Sequence, residues 1–380
     1  MILDKSAEVR ERNFNSIKVL FGVSYGLGVN LTAPSKFKES LRIVNVILVV
    51  SSTLSLYAHW CYLQRNFDSI PLLAETVCTA LQTLISLFKM VYYLLRQRTF
   101  YRLLEQALTH DLIHKIEIFQ HDLPVKYQLK QEIDNIMTDI WRTTRRQILF
   151  YFSCCLAIVC NYFFAALFVN LYNQLKQTPN YKHILRAVSF DGVFIVLSQH
   201  AVGLIKVLNL LVLRSTSPLI PPGRRIEYLR YTIITYQRIA IYVQQIQTIF
   251  KQISLSQFVF SLIIYGFVLF ELSFGLESSI TIFIRMIMYI AAGGTQIVIY
   301  CYNGQQLTTV SEQIPFSFYT SKWYEESEKF KQLIRMMILR THRNFHLEVS
   351  WFTLMNLATL IALFRMSGSY FLLLRNLQEN

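Results

Sequence analysis

Apolar residues run along the chain in seven long blocks, at approximately 41–63, 71–95, 147–172, 190–213, 255–276, 280–302 and 349–374. Each is as long as the roughly 20 residues that a helix needs to cross a bilayer core. The pattern predicts an all-α polytopic membrane protein, with residues 1–380 forming a single seven-transmembrane domain. The connecting segments alternate in length. Those at about 64–70, 173–189 and 277–279 are short, whereas 1–40, 96–146, 214–254 and 303–348 are long. One side of the membrane therefore receives nearly all of the polar mass.

The long connections do not read as linkers. Residues 96–146 and 224–254 are poor in Gly and Pro and carry apolar residues at helical spacing, such as Leu103, Leu104, Leu108, Leu112 and Ile116, or Ile226, Leu229, Ile233 and Ile234. This spacing predicts helices. Either they rest on the membrane surface, or, the favoured reading, the spanning helices continue beyond the membrane and pack there. Pro218, Pro221, Pro222 and Gly223 form the clearest break. Lys322 to Arg340 reads as a further amphipathic helix, with Glu325/Lys329 and Glu328/Lys331 at pairing distance.

Charge orients this layout. The long-segment side holds 27 Lys and Arg against 5 on the other, but at nearly equal density. Placement decides it: Arg96, Arg98, Arg145, Arg146, Arg214, Arg224 and Arg225 sit close to helix ends, where the positive-inside bias acts. The long segments and the N terminus are expected in the cytoplasm, and residues 1–40 lack the basic start and clean apolar core of a signal peptide.

Composition agrees, with 53% hydrophobic and only 16% charged residues, which excludes a soluble globular protein. The net charge of +14 then reads as basic loops against anionic lipid, not as a nucleic-acid surface. Membrane lipid is the expected partner and nucleic acid is not. Six cysteines fall in or beside apolar blocks without a CxxC pair, so they are expected as buried thiols. His110 and His114 are spaced i, i+4 but have no third ligand nearby, so no metal site is expected. No nucleotide, zincin or hydrolase motif occurs. Neither an enzyme nor a cofactor is expected.

Intramembrane polar residues are the candidate functional groups, because a charge near the bilayer centre costs about 2.5–3.5 kcal/mol on insertion scales. Glu271 and Arg285 flank the tight turn around Ser278 and could pair across a hairpin. Glu75, Lys89 and Lys206 are further candidates, the two lysines near the cytoplasmic end, where snorkelling accounts for them. Aromatic residues crowd the outer half: Tyr162, Phe163, Phe164 and Phe168, then Phe190 and Phe194 beside Ser198 and Gln199, then Phe267, Phe270 and Phe274, then Phe283 and Tyr289. They can be lipid-facing or core residues. They can equally form an apolar pocket with polar tips suited to a small volatile ligand, for which Tyr162, Phe164, Phe168, Phe194, Ser198, Gln199, Phe270 and Tyr289 are the candidate contacts.

The last block differs from the rest. It carries Ser350, Thr353, Asn356, Thr359, Ser367, Ser369 and one charge, Arg365, which could face water or pair with an acid such as Glu75. A helix facing only lipid has no use for these groups, whereas one lining water or packing on copies of itself does. Thr353, Asn356, Thr359, Ser369 and Tyr370 are the candidate pore-lining residues. They form no single stripe, so the polar face turns along the helix.

The run SGSYFLLL, Ser367 to Leu374, resembles the closing signature of insect odorant receptors, and FYTSKWYEE, with Trp323 and Tyr324, resembles that family's segment before the last span. Seven spans with an inverted topology extend the likeness over the whole chain. In the related gustatory receptors a Gln follows Tyr and five apolar residues. Here that position is Asn376, with Gln378 two residues later, which favours the odorant family. The resemblance implies the tuning subunit of a ligand-gated, non-selective cation channel in the plasma membrane of sensory neurons. Such subunits form heterotetramers with an odorant receptor co-receptor, the last helix lining the pore and cytoplasmic helices joining the subunits. A small volatile odorant would bind in the outer half of the bundle. A seven-transmembrane G-protein-coupled receptor is the alternative class, disfavoured because no span has an interior proline. Glycosylation at the sequon Asn30-Leu31-Thr32 would contradict the cytoplasmic N terminus.

Overall fold

The computed structural model describes residues 2–26, 31, 38–65, 70–121, 123–172, 182–278, 280–350 and 353–379. Side chains are described within these except at the outer ends of several helices, including residues 158–188 and 271–286. The elements in order are α1 (Ile2–Ser16), α2 (Lys18–Gly26), α3 (Lys38–Arg65), α4 (Ile70–Leu108), α5 (Asp111–His114), α6 (Lys126–Tyr172), α7 (Lys182–Arg214), α8 (Arg225–Ser278), α9 (Ile280–Thr320) and α10 (Glu328–Thr341). Two short strands, β1 (Glu348–Ser350) and β2 (Thr353–Leu354), and the terminal helix α11 (Leu357–Glu379) complete the chain.

Among the described residues a long helix runs through each apolar block, the last only from Leu357. Among the described residues, Asn45–Arg65, Thr76–Leu108, Ser189–Arg214 and Pro222–Phe270 are long and apolar enough to cross a membrane, and Leu357–Leu373 forms a shorter apolar helix. The long connections are continuations of these helices. α8 has 54 residues, about 80 Å at 1.5 Å per residue, against a bilayer core of about 30 Å. α4, α6 and α9 are similarly over-long, with 39, 47 and 41 residues. Their extensions bury Leu103, Leu104, Leu108, Leu129, Ile133, Ile239, Ile246 and Phe318 together, so the helical spacing of the loops is the inner face of a packed bundle.

Ion pairs bind this end of the bundle from outside: Arg10 with Glu105 at 2.6 Å, Arg214 with Glu132 at 2.5 Å, Arg238 with Glu117 at 2.6 Å, and Arg225 with Glu326. The exposed ones contribute less than about 1 kcal/mol each. Glu328 pairs with Lys331 at 2.9 Å on α10, as the spacing predicts. The last apolar block differs in one respect: Glu348–Ser350 and Thr353–Leu354 form the two antiparallel strands, and the helix starts only at Leu357. The Asn356 side chain sets that start, its Oδ1 accepting the Thr359 N–H at 2.8 Å, an N-cap geometry.

The two N-terminal helices dock on the bundle. Asn13 donates to the Leu108 carbonyl at 2.8 Å and lies 2.9 Å from His110 Nε2. His110 ends α4 in a left-handed conformation, φ 51°. Its Nε2 also accepts from Trp141 Nε1 at 3.3 Å, and its ring stacks on His200, centroids 5.6 Å apart. Farther along, α2 presses Leu20 against α7 at Gly192, where a Cβ would meet Leu20 Cδ1 at 2.5 Å.

Burial holds His110 well below the ordinary imidazole range, and the nearby Arg12 guanidinium works in the same direction. Its folded pKa is depressed, so below about pH 6.5 the unfolded chain takes up a proton that the folded chain refuses, and stability is lost as pH falls. Hydrogen exchange in α1 and α2, corrected for intrinsic rates, should quicken between about pH 7.5 and 5.5. His110→Gln should flatten that dependence. An equal pH response in the variant refutes the assignment.

Candidate functional site

At the centre of the bundle a carboxylate is fully removed from water. Asp191 lies nine residues into α7, and its two oxygens accept four hydrogen bonds. Lys89 of α4 and Tyr300 of α9 each donate to Oδ1 at 2.7 Å. Tyr151 of α6 and Gln296 of α9 donate to Oδ2 at 2.6 and 2.7 Å. The Lys89 and Asp191 side chains are both 0% exposed, and the ammonium also sits 5.8 Å from the Tyr300 ring centre. Lys89 therefore does not snorkel: it turns inward to a counter-charge. A buried ion pair is sustained only where its remaining hydrogen-bonding capacity is met, and here each carboxylate oxygen has two donors. Four helices meet at one residue.

The cluster continues into α8. Gln257 donates to Gln296 Oε1 at 3.0 Å and to Ser261 at 3.1 Å. One turn outward from Ser261, Tyr265 packs beside Gly293 of α9 and 5.6 Å from the Phe364 ring of α11. Its buried hydroxyl has no hydrogen-bond partner among the described residues. Tyr370 of α11 lies against Gly266.

At the opposite end of α11, Lys251 pairs with Glu348 at 3.1 Å, and Gln247 exchanges two hydrogen bonds with the Glu348 backbone. Burial raises the Glu348 carboxyl, but Lys251 and His346 outweigh it, so the group sits below the usual carboxylate range. Just after the strands, the Met355 backbone lies against Gly304 of α9 and leaves no room for an added Cβ.

Of the pocket residues expected from the sequence, Phe194 is buried, stacked on Tyr300 at 4.4 Å and edge-on to Phe250 at 5.0 Å. Ser198 returns its hydrogen bond to the Phe194 carbonyl at 2.7 Å. Gln199 is buried and donates to Asn303 and Gln306 of α9 at 2.7 and 2.6 Å. Phe270 is 7% exposed. The side chains of Tyr162, Phe164, Phe168 and Tyr289 lie outside the described residues, as do Glu75, Glu271, Arg285 and Asn30. Of the expected pore residues, Thr353 is in β2, Asn356 caps α11, and Thr359 donates its hydroxyl to the Leu354 carbonyl at 2.7 Å. Ser369, Tyr370 and Arg365 are exposed on α11.

Asp191 was missed in reading the sequence for intramembrane charges. It is the one acid in the block 190–213, and an acid there, with Lys89 available as a base, is the signal that finds the pair.

Long apolar helices closed around a satisfied buried ion pair define a polytopic, all-helical membrane protein. A family model described as 7tm odorant receptor matches residues 180–368. Odorant receptor 63a of Drosophila melanogaster is 44% identical over 99% of both chains. Odorant receptor 67b of the same fly is 27% identical over 94% of both. The solved structure of the insect olfactory receptor OR5 from Machilis hrabei in complex with eugenol matches with a TM-score of 0.76 at 14% identity, covering 99% of this chain and 100% of that one. The chain belongs to the insect odorant receptor family.

Two predictions come from this geometry. Lys89→Met should destabilise the protein by about 3–5 kcal/mol, because it strands a buried carboxylate. Adding Asp191→Asn should recover part of that loss, since a neutral amide still accepts hydrogen bonds. Thermal melting of the detergent-extracted protein, followed by size exclusion, measures both, and additive losses would refute the pair. Gly304→Ala forces the Met355 backbone away and should cost about 1–3 kcal/mol in the same assay.

Proposed function

We propose that the chain is the odorant-tuning subunit of a ligand-gated, non-selective cation channel, assembled with an odorant receptor co-receptor in the plasma membrane of sensory neurons. In this reading the long helical extensions and the N terminus are cytoplasmic, and the bundle has seven spans. A small volatile, largely apolar molecule binds in the outer half among α4 to α9, with Tyr162, Phe164, Phe168, Phe270 and Tyr289 as the contacts to test. Phe194, Ser198 and Gln199 continue from it inward along α7. The terminal helix lines the pore, with Ser369, Tyr370 and the cap region of Thr353, Asn356 and Thr359 as its polar positions.

The observation that carries the reading is the position of α8. It hydrogen-bonds the Asp191 cluster through Gln257 and touches α11 through Tyr265 and Gly266, with Lys251 tied to the strands before α11. A ligand that favours one arrangement of the outer helices can thus bias the terminal helix, provided it binds the two arrangements with different affinity. Co-assembly has a surface available. Phe316, Tyr319, Tyr324, Met336 and Leu339 on and between α9 and α10 are 60–76% exposed, more apolar area than a lone helix end keeps in water without a partner.

The test is current recording from cells that express the chain with the co-receptor, against an odorant panel. Odorant-evoked cation current requiring this chain supports the proposal. Its absence, with the complex at the surface, overturns it. Phe164→Ala or Tyr289→Ala should shift odorant sensitivity without lowering surface expression. Tyr265→Ala should reduce maximal current more than it shifts the half-maximal concentration.

A further inference from the structure

A cavity of about 310 Å³ opens between α6, α7, α9 and the start of α11, with none of the Asp191 cluster in its lining. Its wall is mostly apolar, with Ile140, Val202, Val310 and Leu357, and Thr143 of α6, Gln199 and Lys206 of α7 and Gln306 of α9 are among the polar groups set into it. The cavity lining holds no carboxylate. The amide hydrogens of Gln199 and Gln306 are directed along the wall, to Asn303, Gln306 and Tyr302. Lys206 is exposed and has no ion pair or hydrogen bond among the described residues. Arg146 is three residues from Thr143, on the same face of α6, and is likewise exposed and unpaired among them. Other basic residues of the bundle, such as Lys89, Arg214 and Lys251, have found carboxylates. Lys206, which lines this open cavity, and Arg146, one turn along α6 from the lining residue Thr143, have not, nor among the described residues have their neighbours Arg142 and Arg145.

Depth identifies the counter-ion. Lys206 is eight residues from the end of α7 at Arg214, about 12 Å along the axis, and Arg145 and Arg146 stand where α6 passes from its charged extension into its apolar block. Both mark the level of lipid headgroups. Toward the membrane centre the cavity gives way to apolar side chains facing outward: Phe150 on α6, 63% exposed, and Val298 on α9, 41% exposed. A headgroup below and an acyl chain above match this arrangement.

We propose that this cavity binds the phosphate headgroup of an anionic phospholipid in the leaflet at the helical-extension end, with Lys206 and Arg146 as its counter-charges and Thr143 as a hydroxyl donor. The site rests on the membrane reading of the bundle but not on channel opening. A basic residue at this level contributes about 1 kcal/mol toward anionic lipid. Losing one should therefore lower occupancy roughly fivefold.

The test is native mass spectrometry of the receptor complex from nanodiscs of phosphatidylcholine mixed with phosphatidylserine. The wild type and Lys206→Arg should retain phosphatidylserine, Lys206→Gln should retain roughly fivefold less, and Arg146→Gln should behave alike. Phosphatidylcholine adducts should not change. Phosphatidylserine retention equal to that of the wild type in both Gln variants overturns the proposal, as does loss in Lys206→Arg equal to that in Lys206→Gln. Displacement of the lipid by millimolar inorganic phosphate overturns the lipid assignment. Retained lipid without odorant-evoked current would refute the channel reading and leave this site standing.

Discussion

An ion pair removed from water costs several kcal/mol of desolvation per ion before any attraction is counted, and only near-complete hydrogen bonding offsets it. Lys89 and Asp191 meet that condition because α6 and α9 bring Tyr151, Tyr300 and Gln296 to the same carboxylate. The geometry is consequently collective. Moving any one of α4, α6, α7 or α9 by more than a hydrogen-bond length strands a charge or a donor in an apolar interior. Apolar contacts among leucines and phenylalanines tolerate sliding; this cluster does not. It gives the bundle a fixed register in a region where dispersion alone would permit several.

Around that point the chain divides its chemistry by depth. Toward one end, aromatic and aliphatic residues supply an adaptable apolar interior. Toward the other, the same helices carry ion pairs and continue the same hydrophobic core, which keeps their extensions packed together. The N-terminal helices lock onto the junction, through Asn13 and His110 at the edge and Leu20 deeper in. The terminal helix, like α3, is only lightly embedded: many of its apolar residues are exposed in the isolated chain, among them Ile361, Met366, Leu372 and Leu373. Exposure of that kind is what a helix facing neighbouring subunits or lipid retains.

Much of the architecture was legible from periodicity. A helix announces itself every three or four residues, so the continuation of α4 and α8 could be read from Leu103, Leu104 and Leu108 and from Leu229, Ile233 and Ile239. The start of α11 was not, because Val349 to Leu354 is as apolar as a helix would be; a short local strand pairing and the Asn356 cap set it at Leu357. The same holds for the site. Lys89 could be flagged as an intramembrane charge, but whether it reaches outward or inward depends on a partner 102 residues away. Phe194 and Ser198 were recognisable as apolar and polar positions on one helix, while the stacking on Tyr300 depends on how α7 and α9 face each other.

Helix α8 has one further implication. A single hydrogen-bonded rod about 80 Å long that is gripped near its middle by Gln257 behaves as a beam on a pivot. A small tilt imposed at one end must reappear, with opposite sign, at the other. Residues near Phe270 and residues near Tyr228 are thereby mechanical counterparts, although they share no contact. Substitution at the first set is then constrained by tolerance for strain at the second, so the two ends of this helix should change together over evolutionary time.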